Sequence, residues 1–169
     1  MIQTAIRRIA MICLLGASAA QASGLQTPLA KSAGHRVADL LPESFAAMQV
    51  MPSIYRNQAD APFEASFEVM PDNDFSRSLT LTISERAGMR RMVARAIERP
   101  SRMGADAVDA ADLGLPQGAD CIGSPSQKSI YCIVGSALVQ VGGQADFASL
   151  RDTARELPFP VYREVFGEY

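Results

Sequence analysis

The sequence predicts a single α+β domain: a mainly antiparallel sheet of about five strands, packed by two amphipathic helices and closed by one cross-strand disulfide. Three observations predict it. Residues 63–70 and 77–85 alternate apolar and polar side chains around the turn cluster Pro71-Asp72-Asn73-Asp74. Two later segments repeat apolar residues with helical period: Met89, Met92, Val93, Ala96 and Ile97, then Phe147, Leu150, Ala154 and Leu157. Finally, residues 121–141 hold two apolar runs flanking Gly123-Ser124-Pro125-Ser126-Gln127-Lys128, with one cysteine on each run.

The chain divides into three parts. Residues 1–22 read as a secretory signal peptide: Arg7 and Arg8, an apolar stretch over 9–16, then small residues at Ala17, Ala19, Ala20 and Ala22. The apolar stretch is far shorter than the roughly 20 residues of a spanning helix, and no later stretch of the sequence reads as one. Residues 23–36 read as a loose lead-in, and residues 37–169 as the domain. Without the signal, basic residues fall from 16 to 14 against 18 acidic ones, a net charge of −4. That balance argues against nucleic acid as a partner. Such a signal, with arginine far outnumbering lysine, points to the periplasm.

In order, residues 32–41 suggest a short helix with Val37, Leu40 and Leu41 on one face, stopped by Pro42. Residues 45–50 suggest a first strand, and 53–62 a loop. The alternating pair at 63–70 and 77–85 follows as a hairpin. A helix over 89–99 ends at Pro100. Residues 103–116, rich in Ala and Asp, form a weak helix or loop. Strands are expected near 119–123, 129–134 and 137–141. Asp146 is placed to cap a helix running to Leu157, and a last short helix fits Tyr162, Val165, Phe166 and Tyr169.

Loss of Cys13 with the signal leaves Cys121 and Cys132, an even count that implies a disulfide in an exported chain. In an antiparallel hairpin, opposed residues have a constant index sum. The Cys121/Cys132 sum centres the turn between Ser126 and Gln127, so the two cysteines face each other directly. The spacing fits neither a common zinc pattern nor a Cys-x-x-Cys redox motif.

Residues able to carry chemistry are few. His35 is the only histidine, so any histidine-based triad or metal site would need it. No phosphate-loop, Gly-x-Ser-x-Gly or His-Glu-x-x-His motif occurs. Asp72 and Asp74 read as turn residues. Asp106, Asp109 and Asp112 recur every third residue, as an acidic edge would. No catalytic residue, metal ligand or cofactor is assigned.

One surface feature stands above background. Arg86, Arg90, Arg91, Arg95, Arg99 and Arg102 crowd one segment, and Arg91, Arg95 and Arg99 recur at i, i+4, i+8. Like charges at that spacing cost a helix a few tenths of a kcal/mol each. Stability alone does not favour the pattern, whereas an anionic partner does. Arg90, Arg91, Arg95, Arg99 and Arg102 are the candidate partner-binding residues.

The order of elements resembles small uncharacterised secreted bacterial α+β domains with a PsbP/Mog1-like layout. The resemblance rests on Leu40-Leu41-Pro42, the strand pair at 63–69 and 79–83, and the unit from Ala137-Leu138-Val139-Gln140-Val141-Gly142-Gly143 to the helix at 147–157. It implies an accessory or binding role and transfers no site residue. The expectation is a periplasmic, non-catalytic binding protein, such as an inhibitor or immunity-type protein for an envelope partner or anionic surface. The alternative is a small envelope hydrolase using carboxylates such as Asp72, Asp74 or those at 106–112.

Overall fold

Among the described residues, the alternating segments become neighbours in one sheet of seven strands, two more than the sequence suggested. The structure, a computed structural model, describes residues 24–46, 48–116 and 119–167. The signal-peptide segment 1–22 and Tyr169 lie outside the described residues. The strands are β1 (Val50–Arg56), β2 (Glu64–Val69), β3 (Leu79–Ser84), β4 (Val108–Asp109), β5 (Asp120–Ser124), β6 (Ser129–Val134) and β7 (Ala137–Gly143). They run in the order β1-β2-β3-β7-β6-β5-β4, each antiparallel to its neighbours. Two meanders therefore meet along the β3–β7 seam. Among the described residues four α-helices accompany them, where two were expected to pack the sheet: α1 (Glu43–Ala46), α2 (Ala87–Glu98), α3 (Phe147–Arg155) and α4 (Phe159–Phe166). Among the described residues, no helix is long and apolar enough to cross a membrane.

The two unanticipated strands have physical explanations. β1 occupies residues that read as a loop, while Phe45, expected on a strand, belongs to α1. Pro52 and a register shift between Pro52 and Ile54 destroy the alternation that would have announced β1. A proline is tolerated because β1 is an edge strand with one unpaired side. β4 is only two residues long and pairs with Ile122 and Gly123 on β5. The early helix is a single 3-10 turn, Val37–Leu40.

Strand alternation sends the two faces of the sheet to different helices. Cys121, Ile130, Cys132, Val139 and Val141 point into the larger core, with Phe45, Phe67, Leu150 and Tyr162. The intervening residues Ile122, Ile133 and Leu138 point the other way, beneath Val93 and Ala96 of α2. Helices α3 and α4 thus cover one face, while α2 covers the β5–β7 half of the other. The apolar face expected for α2 is narrower than its sequence period implied. Val93 and Ala96 are buried, but Met89 and Met92 are 41% and 53% exposed.

The cysteine arithmetic holds. Cys121 pairs directly with Cys132, their Cα atoms are 4.1 Å apart, and the disulfide is formed. The bond is buried against the larger core. α3 is capped by Asp146, whose carboxylate accepts from the Ser149 amide at 2.8 Å. In α4, the Tyr162 hydroxyl donates to the Leu40 carbonyl at 2.7 Å, and burial pushes its pKa upward.

One carboxylate links both meanders and both ends of the domain. Glu85 Oε2 accepts from the Phe63 amide at 2.6 Å and from Lys31 of the lead-in. Its Oε1 accepts from the Ser136 hydroxyl at 2.6 Å, on the β6–β7 turn. The Ser136 amide in turn donates to the Phe166 carbonyl of α4 at 3.1 Å. The turn fits there because residue 135 is glycine: φ is +55°, and a Cβ would lie 2.1 Å from the Gly167 oxygen. The lead-in is further held by Leu29, which is buried, and by Asn57, whose amide bonds Pro28 and Ala30 at 2.8 Å.

Two outcomes follow from this architecture. Replacing Cys121 and Cys132 together by alanine is expected to lower unfolding free energy by about 3 kcal/mol through the unfolded chain's regained freedom, measured by denaturant titration with and without reductant. The second outcome concerns Glu85. Burial works to raise its carboxyl, but hydrogen bonds from Lys31, Ser136 and the Phe63 amide outweigh this and hold it below the usual 4.5. A depressed carboxylate stabilises the fold above its unfolded pKa and loses that contribution as pH falls through the folded value. Glu85→Gln should therefore cost about 2 kcal/mol near neutrality, with the gap from wild type closing below about pH 4. Denaturant midpoints across pH would show it; a pH-independent gap would contradict it.

Candidate functional site

Helix α2 forms against its own charge pattern. Its first turn carries no acidic residue, and Arg86 at the N-cap position supplies no side-chain cap. Arg90 and Arg91 near the N-terminus oppose the helix dipole, and Arg91 and Arg95 repel at i, i+4. What holds α2 is Val93 and Ala96 packing on Ile122, Ile133 and Leu138. Arg95, in the last turn, is the one α2 arginine that the dipole favours.

The structure sorts the arginines into two groups. Arg86 donates to Glu64 Oε2 at 2.9 Å, and Arg56 lies 3.5 Å from the same oxygen. Arg90 donates to the Gly135 carbonyl at 2.7 Å. Arg91, Arg95, Arg99 and Arg102 converge instead. Arg91, Arg95 and Arg102 line a depression of about 370 Å³ with Met92, Met103 and Gln127. Arg95 and Arg102 also border a second one of about 280 Å³ with Arg99 and Glu98. Arg99 reaches it from just beyond the helix, where the backbone leaves helical geometry at φ −139°.

Among the described residues, these four guanidinium groups form no ion pair or side-chain hydrogen bond. Arg36, Arg56, Arg77, Arg86, Arg90 and Arg155 each have a polar partner, Arg151 lies 4.0 Å from Asp152 with its Nε unsatisfied, and Arg163, remote in sequence from the stripe, also forms no ion pair or side-chain hydrogen bond among the described residues. Sequence spacing could find the stripe. It could not show that Arg86 and Arg90 are occupied, nor that Met103 and Gln127 complete the rim. Gln127 is fixed there by its own bond to the Met103 carbonyl, at 3.1 Å.

The carboxylates considered for hydrolysis are engaged in turns. Asp72 pairs with Arg77 at 2.8 Å. Asp74 accepts from the hydroxyl and amide of Ser76, which lower its pKa. Asp106 accepts from the Ser126 amide at 2.6 Å, the leading cause of its own depressed pKa. Asp109 accepts from the Asp112 amide at 3.0 Å. A general acid at neutral pH needs a raised pKa, and Asp74 and Asp106 are shifted the opposite way. His35 lies at 2.7 Å from Glu164 and 3.7 Å from Asp39, bridging the lead-in to α4. Among the described residues, no group of three or more His, Cys, Asp or Glu is placed to hold a metal ion.

The arrangement can therefore concentrate positive potential on one face of an otherwise acidic molecule. Comparison with known proteins finds no matching family model, and no curated protein or solved structure of significant similarity.

Proposed function

We propose that this chain is an exported, non-catalytic accessory or binding protein of the bacterial envelope, and that its arginine face docks an acidic protein, as an inhibitor or immunity-type protein would. The observation that carries the reading is the convergence of Arg91, Arg95, Arg99 and Arg102, whose guanidinium groups form no ion pair or side-chain hydrogen bond among the described residues. The signal-like segment at 1–22 and the Cys121–Cys132 bond support an oxidising compartment. The PsbP/Mog1-like element order points to the same accessory role.

A protein partner is favoured over a lipid surface because exposed Met89 and Met92 lie beside the arginines, and Met and Arg are both enriched at protein interfaces.

The test is capture from the source's envelope extract, followed by titration of the purified partner. An acidic partner is expected, with affinity falling about tenfold or more between roughly 50 and 300 mM salt. The variant Arg91→Glu/Arg95→Glu/Arg99→Glu/Arg102→Glu should abolish capture while keeping its thermal midpoint. Salt-independent binding, or capture unaffected by the reversal, would sink the proposal. Preferential binding to anionic vesicles would transfer the face to a lipid partner.

A further inference from the structure

The two depressions of the arginine face differ in chemistry. The larger, of about 370 Å³, is lined by Arg91, Arg95 and Arg102 together with Met92, Ala96 and Met103. Ala96 and Met103 belong to the small apolar core under α2, while Met92 is exposed. No carboxylate among the described residues lines this depression. The smaller one is lined by Arg95, Arg99, Arg102 and Glu98, with no apolar side chain. Arg95 and Arg102 serve both.

A group that satisfies the larger depression must bring negative charge and an apolar body into the same small space. Within an extended chain these belong to different residues, and neighbouring side chains point to opposite sides. At the carboxyl end of a chain they sit on one carbon, because the α-carboxylate and the last side chain share the last Cα. Guanidinium forks match a carboxylate with paired N–H donors. The donors of Arg91, Arg95 and Arg102 are not consumed by any ion pair or side-chain hydrogen bond among the described residues. Met92 and Met103 are unbranched and adaptable, so they accommodate aliphatic side chains of more than one shape.

Gln127 adds a separate mark of a peptide. Its Nε2 donates to the Met103 carbonyl at 3.1 Å, which holds the side chain at the edge of the larger depression. Its Oε1 accepts no hydrogen bond among the described residues. An amide oxygen on a rim of cationic donors is suited to receive a peptide N–H. A fully ionised phosphate or sulfate has no donor to offer it, and neither has an acyl chain.

We infer, on the reading of this face as a dock for an acidic protein, that the larger depression captures that partner's free C-terminus. The last residue is aliphatic, with its side chain against Met92, Ala96 and Met103. Its α-carboxylate meets Arg91, Arg95 and Arg102, and its N–H meets Gln127 Oε1. An acidic side chain just before it reaches Arg99 at the smaller depression. Capture of a chain-terminal carboxylate is an established mode of peptide recognition.

The experiment titrates the full chain with acetyl-Glu-Glu-Leu by calorimetry and by NMR, at about 50 mM salt. Saturable binding is expected. Acetyl-Glu-Glu-Glu-Leu-amide has the same number of carboxylates but none at its end, and should bind about tenfold or more weakly. Acetyl-Glu-Glu-Gly keeps the terminus and loses the side chain, and should weaken to a similar degree. Arg95→Gln/Arg102→Gln should erase the preference for the free terminus while keeping the thermal midpoint, since both side chains are exposed. No saturable binding up to about 10 mM peptide, or equal binding of acetyl-Glu-Glu-Leu and the charge-matched amide, would overturn the inference. Both results come from the unmodified protein, so neither depends on a variant folding. Either would leave standing the salt-dependent capture of an acidic partner, which the fourfold arginine-to-glutamate variant tests separately.

Discussion

The Glu85 carboxylate closes a circuit that no other side chain closes among the described residues. It stands just past the end of β3, where the two meanders meet. From there it reaches back to β2 through Phe63, across to the β6–β7 turn through Ser136, and outward to the lead-in through Lys31. Ser136 passes the connection to α4. A charge so placed is retained only because several donors satisfy it together. Removing any one donor leaves a half-solvated carboxylate for the others to hold. This shared dependence makes the lead-in and α4 part of the same cooperative unit as the sheet.

Much of the sheet was legible in the sequence, and the reasons differ by strand. β2 and β3 alternate because one face enters the larger core and the other carries Glu64, Ser66, Thr80 and Thr82; that second face is not the wet one expected for β2, since Glu64 and Ser66 are buried there, Glu64 beneath Arg56 and Arg86. Ser66 and Thr82 bond each other there at 3.1 Å. β5 to β7 read as near-continuous apolar runs because both their faces are covered. The same contrast in pattern separates the half-sheet under α2 from the half beside it. β1 was not legible, since an edge strand with a proline and a bulge has no period to read. Glu85 gave no signal either. A single acid after a strand looks like any solvated residue until its donors arrive from three distant segments.

The candidate surface was legible only in part. Helical spacing isolates Arg91, Arg95 and Arg99, because the stripe is a property of one element. Deciding which arginines remain available requires knowing that Glu64 and the Gly135 carbonyl lie within reach of Arg86 and Arg90. Those partners come from strands and turns remote in sequence. Met89 and Met92 show the complementary error. Their spacing is that of a buried face, yet Val93 and Ala96 take the contacts with Ile122, Ile133 and Leu138, and Met89 and Met92 remain exposed beside them.

The position of the β3–β7 seam also bears on how the chain reaches its native state. Each meander can form from neighbouring hairpins, with turns of a few residues. The seam joins strands roughly sixty residues apart, after the helix and the short β4 have been laid down. Closing so long a loop costs entropy before any hydrogen bond of the seam returns it. Until it closes, β3 and β7 each offer an unpaired edge beside exposed apolar side chains. The seam is therefore the strand pairing with the largest loop to close, and the disulfide, which lies entirely within one meander, does nothing to shorten that loop.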